Sequence, residues 1–208
     1  MPRENERDKL ARMTVRERAL WAEGLRVAGI DEVGRGPLAG PVVAACVIIP
    51  ADKLITGVDD SKKLSEARRE ALYGLIMDAA EYAEFGWVEP EMIDEINILN
   101  ATRLAMERAA RGATGAFFIV DALEGLALPG TSRAVVHGDA EVYMIAAASV
   151  VAKVERDRYM VKLAEAYPCY GFERNKGYGT AEHIRAIIEH GPCPAHRRSF
   201  IKKWTSAL

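Results

Sequence analysis

At 208 residues, 50% hydrophobic and with a formal net charge of −2, the chain can bury a sizeable core and suits one globular domain with room for a small appendage. Its N-terminus is charged and lacks an apolar signal core, and no apolar run is long enough to cross a bilayer, so a soluble cytoplasmic protein with no membrane partner is expected. Three cysteines at irregular spacing, Cys46, Cys169 and Cys193, argue against a disulfide framework and for a reducing compartment.

Residues 1–24 are dominated by charge, among them Arg3, Glu4, Glu6, Arg7, Asp8 and Lys9, with Leu10, Met13, Leu20 and Trp21 interspersed. They are predicted to form a frayed or helical extension outside the core. Strands follow near 26–33 and 41–49, joined as a hairpin. Between them, residues 29–41 read Gly-Ile-Asp-Glu-Val-Gly-Arg-Gly-Pro-Leu-Ala-Gly-Pro. Asp31 and Glu32 end an apolar run just before Arg35, which stands between Gly34 and Gly36. Carboxylates at a strand end can hold a hard cation such as Mg²⁺, and a glycine pair lets another molecule's backbone come close. Together they suggest chemistry on a phosphate or a sugar.

Gly34, Gly36 and Ala39 also satisfy the dinucleotide pattern G-x-G-x-x-G/A, which requires a helix to start inside the motif. Here Pro37 and a short β-branched run bounded by Pro50 follow, so the segment reads as a second buried strand and the dinucleotide reading falls. There is no G-x-x-x-x-G-K-[ST], which excludes a P-loop. A tight hairpin with two surface acids is the remaining alternative for this segment alone.

Asp59-Asp60-Ser61-Lys62-Lys63-Leu64 is a polar loop, and Ser65 can cap a helix over 66–80 with Leu72, Leu75, Ile76 and Ala79 on its inner face. A third strand, 82–88, ends at Pro90. Ile98, Thr102, Ala105, Met106 and Ala109 have helical spacing, and Gly112 and Gly115 end that helix before a buried strand over 116–120. Residues 133–137 make a fifth strand, and 144–166 form a long alanine-rich helix limited by Pro168. Three hairpin-like strands, then alternating helix and strand, predict an α/β protein with a mixed sheet.

Asp31, Asp121 and Asp139 each stand at the C-terminal end of an apolar strand, where ligands gather in α/β sheets. If those strands are neighbours, the three carboxylates converge on one rim, and Glu32 doubles the first of them. Side chains of adjacent strand residues point to opposite faces, so Glu32 joins Asp31 only if the strand twists or ends there. Residues 150–208 have a charge balance of +5 and residues 1–149 one of −7. This is compatible with a polyanion held by the C-terminal part and cations held by the acidic part.

The chain at this point resembles a known family, ribonuclease HII, from about residue 27 to residue 200. The resemblance rests on the glycine-rich stretch 29–43, Asp-Ser-Lys-Lys-Leu at 60–64, Val-Asp at 120–121, Gly-Asp at 138–139 and Ile-Ala-Ala-Ala-Ser-Val-Val-Ala-Lys-Val-Glu-Arg-Asp at 145–157. Tyr-Gly-Phe at 170–172, Gly-Tyr-Gly-Thr at 177–180 and His-Arg-Arg-Ser-Phe at 196–200 complete it. It implies a ribonuclease H-like fold: a five-stranded mixed sheet flanked by helices, with a helical C-terminal region. The chain then divides into the extension 1–24, a catalytic core 25–140 and a helical region 141–208 that completes the substrate cleft.

The resemblance also implies an endonuclease that cuts RNA in RNA/DNA hybrids and nicks 5′ of single ribonucleotides in duplex DNA, with a role in DNA replication and repair. Asp31, Glu32, Asp121 and Asp139 are the matching metal-binding carboxylates, for two divalent ions, Mg²⁺ or Mn²⁺. Gly34, Arg35 and Gly36 match the loop that reads the ribose 2′-OH, and Tyr178 the tyrosine that packs on the neighbouring deoxyribose. Lys62 and Lys63 resemble backbone-contacting lysines, with a solvated charged loop as the alternative for each. A monomer is expected.

Two departures stand out. His137 replaces a common lysine before Gly138-Asp139, which puts a phosphate contact in doubt. Ala122 replaces a common glycine, which should matter little because alanine is nearly as small. Lys153, Arg156 and Asp157 read as the exposed side of a helix, and Ser149 as helix packing. Cys169, His183, His190, Cys193 and His196 fit no paired zinc spacing. A related two-metal nuclease would share the acids without needing the glycine–arginine loop and Tyr178. A non-catalytic hybrid-binding protein would not need all four carboxylates.

Overall fold

The computed structural model describes residues 5–205; residues 1–4 and 206–208, the outer ends of the two terminal regions delimited above, lie outside them. Five strands, β1 (Val27–Val33), β2 (Val42–Ile48), β3 (Tyr82–Val88), β4 (Phe117–Asp121) and β5 (Ser132–Val135), form one sheet in the order β3-β2-β1-β4-β5. β2 runs antiparallel to β1 and to β3. β4 is parallel to β1, and β5 to β4. Every residue of β2 is buried, as its unbroken apolar sequence requires for a strand covered on both faces.

Helices cover the two faces. The helix α3 (Glu66–Ala79) is capped by Ser65, whose hydroxyl accepts from the Arg68 amide at 3.3 Å. On one face, Leu72 and Ile76 of α3 share a core with Val27, Ala45 and Val47 and with the first half of α6 (Tyr143–Ala166). On the other, α4 (Pro90–Ala110) packs Ala101, Ala105 and Met106 on Ala28, Ile30 and Ala44. α4 begins earlier than its apolar spacing suggests, and Asn97 breaks it with φ 67. The Asn97 carboxamide oxygen accepts from the amides of Leu99 and Asn100, restarting the helix as a cap does. After α5 (Gly138–Glu141) and α6 come α7 (Phe172–Asn175), α8 (Ala181–His190) and α9 (Arg198–Thr205). They form a third apolar cluster with Leu38, Ala39 and Met160.

α6 lies against β1 with almost no space between them. A Cβ on Gly29 would stand 2.1 Å from the carbonyl carbon of Met144, so glycine there sets the helix-to-sheet distance. Residues Tyr143 to Ala152 are all buried. A helix apolar on every side belongs inside the protein.

Two expectations need correction. Residues 6–22 are helical, in α1 (Glu6–Met13) and α2 (Val15–Ala22), but they are not outside the core: Met13 is buried in the α6 cluster and Leu10, Leu20 and Trp21 pack against it. Positions 10, 13, 17, 20 and 21 lie on one helical stripe that the surrounding charges obscured. Glu17, on that stripe, is fully buried and its Oε1 accepts from the Met144 amide at 2.9 Å, satisfying a free donor at the N-terminus of α6. Nor does packing break after residue 140, because α6 belongs to the same core as β1 and β2. Among the described residues, no helix is long and apolar enough to cross a membrane.

Candidate active site at the ends of the central strands

The parallel ladder between β1 and β4 ends at Ile30 opposite Val120, one residue before Asp31 and Asp121. The two acids therefore sit side by side where the strands part. Glu32 joins them: Asp31, Glu32 and Asp121 each offer a carboxylate oxygen, and these lie within 4.8 Å of one another. β1 itself continues to Val33, so the end of the ladder, rather than the end of the strand, lets Glu32 turn toward its neighbours.

Such crowding is unfavourable without a cation. Burial pushes the Asp31 carboxyl well above the usual carboxylate range, and the charges of Glu32 and Asp121 add to this against a hydrogen bond from Ser149. Glu32 is raised by burial and by Asp121, with Arg35 opposing; the Arg35 guanidinium lies 3.4 Å from its carboxylate. Asp121 is raised by burial and by Asp139, although its Oδ1 accepts from the Gly138 amide at 2.8 Å. Three clustered carboxylates with depressed acidity and all-oxygen donors fit a hard divalent ion.

Asp139 stands apart from the trio. It occupies the first turn of α5 rather than a strand end, since β5 stops at Val135. Its Oδ2 accepts from Lys62 Nζ at 3.0 Å. Lys62 therefore faces the acids, whereas Lys63 points to Asp59 at 3.8 Å, and Asp59 also pairs with Lys9. The loop carrying Lys62 is fixed from two sides: Ser61 Oγ is 2.9 Å from Ser149 Oγ, and Arg69 donates to the Ser61 and Leu64 carbonyls.

The glycine loop is held from beneath by two buried arginines, Arg156 and Arg197, to which the sequence alone assigned no such role. Arg197 donates to the carbonyls of Gly34 (2.6 Å), Arg35 (2.9 Å) and Gly40 (2.8 Å). Arg156 donates to those of Pro41 (2.9 Å), Ala39 (3.2 Å) and Lys176 (3.0 Å). Arg156 and Asp157 are buried, which corrects the reading of this part of α6 as exposed; Lys153 is half-buried and donates to Asp157 at 2.6 Å. Burial lowers the basicity of Arg197 to about 9, yet each donor finds a carbonyl, as a buried guanidinium requires. The residues lay in quoted motifs, but the charge alone read as surface.

Glu32, Gly34, Arg35, Gly36, Lys62 and Tyr178 line one cleft of about 210 Å³. It thus joins Glu32 of the acidic cluster to the glycine loop and the C-terminal region. The Tyr178 side chain is 43% exposed at its edge. Cys193, His183 and His196 do meet below Tyr178, but the ring nitrogens bond each other, with Nε2 to Nε2 at 3.0 Å. Among the described residues, only Asp31, Glu32 and Asp121 form a group able to hold a metal.

His137 is exposed and left-handed, with φ 58. Ala122 has φ 53, so the substitution for glycine is not neutral: backbone angle, not side-chain size, decides the fit there.

Comparison with known proteins bears on the family and the fold. The family model described as Ribonuclease HII matches residues 28–203. Ribonuclease HII of Bacillus thuringiensis (strain Al Hakam) is 50% identical over 200 residues, 95% of this chain and 77% of the relative. That of Desulfitobacterium hafniense is 49% identical over 94% of this chain and 76% of the relative. Among solved structures, ribonuclease H2 of Pyrococcus horikoshii OT3 superposes with a TM-score of 0.71 at 28% identity, covering 88% of this chain and 98% of that one. The fold is shared with Bst ribonuclease HIII, solved in complex with Mn²⁺, at 18% identity and a TM-score of 0.64 over 88% of this chain and 70% of that one.

Proposed function

Since this chain belongs to the ribonuclease HII family and is a ribonuclease H hydrolase acting on RNA/DNA hybrids, we propose that it also nicks duplex DNA on the 5′ side of a single embedded ribonucleotide. The observation that carries the reading is one cleft in which Glu32, a member of the acidic trio, stands beside the Gly34-Arg35-Gly36 loop and Tyr178.

Asp31, Glu32 and Asp121 would hold divalent metal, with Asp139 completing a two-ion site beside them. Mg²⁺ or Mn²⁺ bound there would supply Lewis-acid stabilisation of the scissile phosphate and an acidified water. The protein's own groups do the rest. With its carbonyls engaged by Arg197 and Arg156, the glycine loop presents a fixed backbone to the ribose 2′-OH, the group that distinguishes a ribonucleotide from its DNA surroundings. Tyr178 packs on the sugar that follows, and this favours a step from RNA to DNA. Lys62 neutralises Asp139 in the free protein and can turn to the phosphate backbone; Lys63, directed to Asp59, contributes only to the surrounding field. The products are a 5′-phosphate on the ribonucleotide and a 3′-hydroxyl upstream.

In the cell this activity would remove ribonucleotides left in DNA by replication, in the cytoplasm and by a monomer. The test is a nicking assay on a duplex with one ribonucleotide, run in Mg²⁺ and in Mn²⁺ with the cut mapped. A single 5′-side nick is expected. An upstream fragment that retains the ribonucleotide at its 3′ end would overturn the reading.

A further inference from the structure

His183 and His196 are both buried and touch neither the acids nor the cleft directly. Their hydrogen bonds nevertheless end on Tyr178. His183 Nδ1 lies 2.9 Å from the Tyr178 carbonyl oxygen. A carbonyl only accepts, so Nδ1 carries the proton and, in the neutral ring, Nε2 is an acceptor. His196 Nε2, 3.0 Å away, must then donate to it. This leaves His196 Nδ1 as an acceptor, and the Cys193 amide donates to it at 3.0 Å. The Tyr178 carbonyl thus sets both tautomers through the shared Nε2–Nε2 bond. Beside His196 Nδ1 also stand the Cys193 thiol at 3.2 Å, which can donate to it, and the Cys193 carbonyl at 3.3 Å, which offers it no proton. Burial lowers the basicity of both rings, that of His196 to about 4, which keeps the pair neutral. The edges of Tyr170 and Phe172 pack against the rings and fix their planes.

The chain leading into Tyr178 is held by its own turn: the Tyr178 amide donates to the Asn175 carbonyl and the Gly177 amide to Asn175 Oδ1, each at 2.8 Å. Lys176 and Gly177 both have positive φ, and a Cβ on Gly177 would stand 2.4 Å from the Ala39 carbonyl oxygen, so the turn lies directly on the glycine loop. The Leu38 amide donates to Gly177 at 2.8 Å, and the Thr180 amide shares the Tyr178 carbonyl with His183 at 2.8 Å. The His183 bond is thus the side-chain restraint on the Tyr178 carbonyl, added to the turn's own backbone bonds, and His196 orients His183.

We propose that His183 and His196 are positioning residues: as a neutral, tautomer-locked pair they hold Tyr178 and so set how strongly the enzyme favours an RNA-to-DNA junction over a continuous hybrid. This rests on the reading of Tyr178 given above. Neither histidine touches the reacting atoms. His183→Leu removes the bond to Tyr178, whereas His183→Asn keeps a donor close to the position of Nδ1.

The test measures kcat and KM on a duplex with one ribonucleotide and on a continuous hybrid. His183→Leu should lower kcat/KM on the junction substrate about tenfold, the scale of one lost aromatic stacking contact, and leave the hybrid within about twofold. His183→Asn should recover most of the loss. In a Tyr178→Ala background, His183→Leu should have no further effect on the ratio. Equal losses on both substrates, no recovery with Asn, or an undiminished effect in the Tyr178→Ala background each overturn the proposal. If Tyr178→Ala alone leaves the ratio unchanged, the reading of Tyr178 fails and takes this one with it. If it shifts the ratio and His183→Leu does not, only this one fails. Nitrogen-15 spectra of histidine side chains in the unaltered protein give a check that needs no variant: protonated Nδ1 in His183 and protonated Nε2 in His196 are expected, and the opposite tautomers overturn the pair.

Discussion

Arg197 Nη2 donates to the Gly34 carbonyl at 2.6 Å across 163 positions of sequence. This bond ties the C-terminal region to the loop beside the acids. The same guanidinium also engages Arg35 and Gly40, so the loop's shape depends on a residue that reaches no substrate.

Replacing Arg197 by lysine should therefore impair both fold and activity. An ammonium cannot span three carbonyls in the fork geometry of a guanidinium. With hydrogen bonds to a charged donor contributing about 1.5–3 kcal/mol each and partial compensation by the lysine, a loss of about 2–4 kcal/mol is expected. Urea denaturation measures it, and nicking of a ribonucleotide-containing duplex should fall more steeply than binding of plain duplex DNA. A variant with unchanged midpoint and rate would show the loop to be held otherwise.

Asp31→Asn and Asp121→Asn should abolish metal-dependent nicking while making the metal-free protein more stable. Both carboxyls are raised by burial and by neighbouring acids, so a neutral isostere relieves strain that the charge imposes. Asp139→Asn should bring no such gain, because it also breaks the pair with Lys62. Thermal unfolding in chelator, beside a nicking assay, distinguishes the three. Undiminished cleavage by either of the first two variants would sink the assignment.

Divalent ions should stabilise the protein and a chelator should stop cleavage. An ion at a hundred times its dissociation constant adds about 2.7 kcal/mol to stability if it binds only the folded chain. A rising Tm on titration with Mg²⁺ or Mn²⁺, absent in Asp31→Asn, is the expected outcome. Equal rises in both proteins would place the ion elsewhere.

Acid should weaken the fold through His196. Its folded pKa, about 4, lies below the ordinary histidine value of 6.5 because burial disfavours the charged ring. The neutral pair thus contributes fully above pH 6.5 and is lost as pH falls toward 4, because the unfolded chain binds the proton first. Glu17 acts in the opposite sense: its carboxyl is pushed up to about 6 by burial, and the strain of its charge is relieved as pH falls from 6 to about 4.5. Comparing His196→Asn with the unaltered protein between pH 7 and 5 cancels Glu17, and the variant should lose less stability over that interval. Parallel slopes would contradict the neutral pair.

Ala122→Gly should stabilise the protein by about 1 kcal/mol, since φ 53 is unfavourable for a residue with a Cβ. The midpoint of chemical denaturation reports it. A drop would mean that the lost Cβ contacts outweigh the relieved angle.

Several features were legible in the chain because they depend on neighbours in sequence. The five strands, the Ser65 cap and the alanine-rich helix follow from local apolar periodicity, and Asp31, Glu32 and Asp121 were marked by acids following directly on apolar runs. The glycine loop announced itself through spacing that few backbones can use. Where the reading failed, charge had been taken for surface. Arg156 and Arg197 are buried because carbonyls from distant loops satisfy them, and Glu17 because a helix N-terminus 127 positions away needs an acceptor.

The sequence by itself thus determined which residue types carry the chemistry, and the family to which they belong. Only the tertiary structure decided how they act together. It closed the β1–β4 ladder one residue before the acids, set Asp139 apart with Lys62, and linked Tyr178 to a histidine pair. Periodicity records what each residue prefers within a turn or a strand. Pairing of donors with acceptors across more than a hundred residues is fixed by packing, which no local pattern encodes.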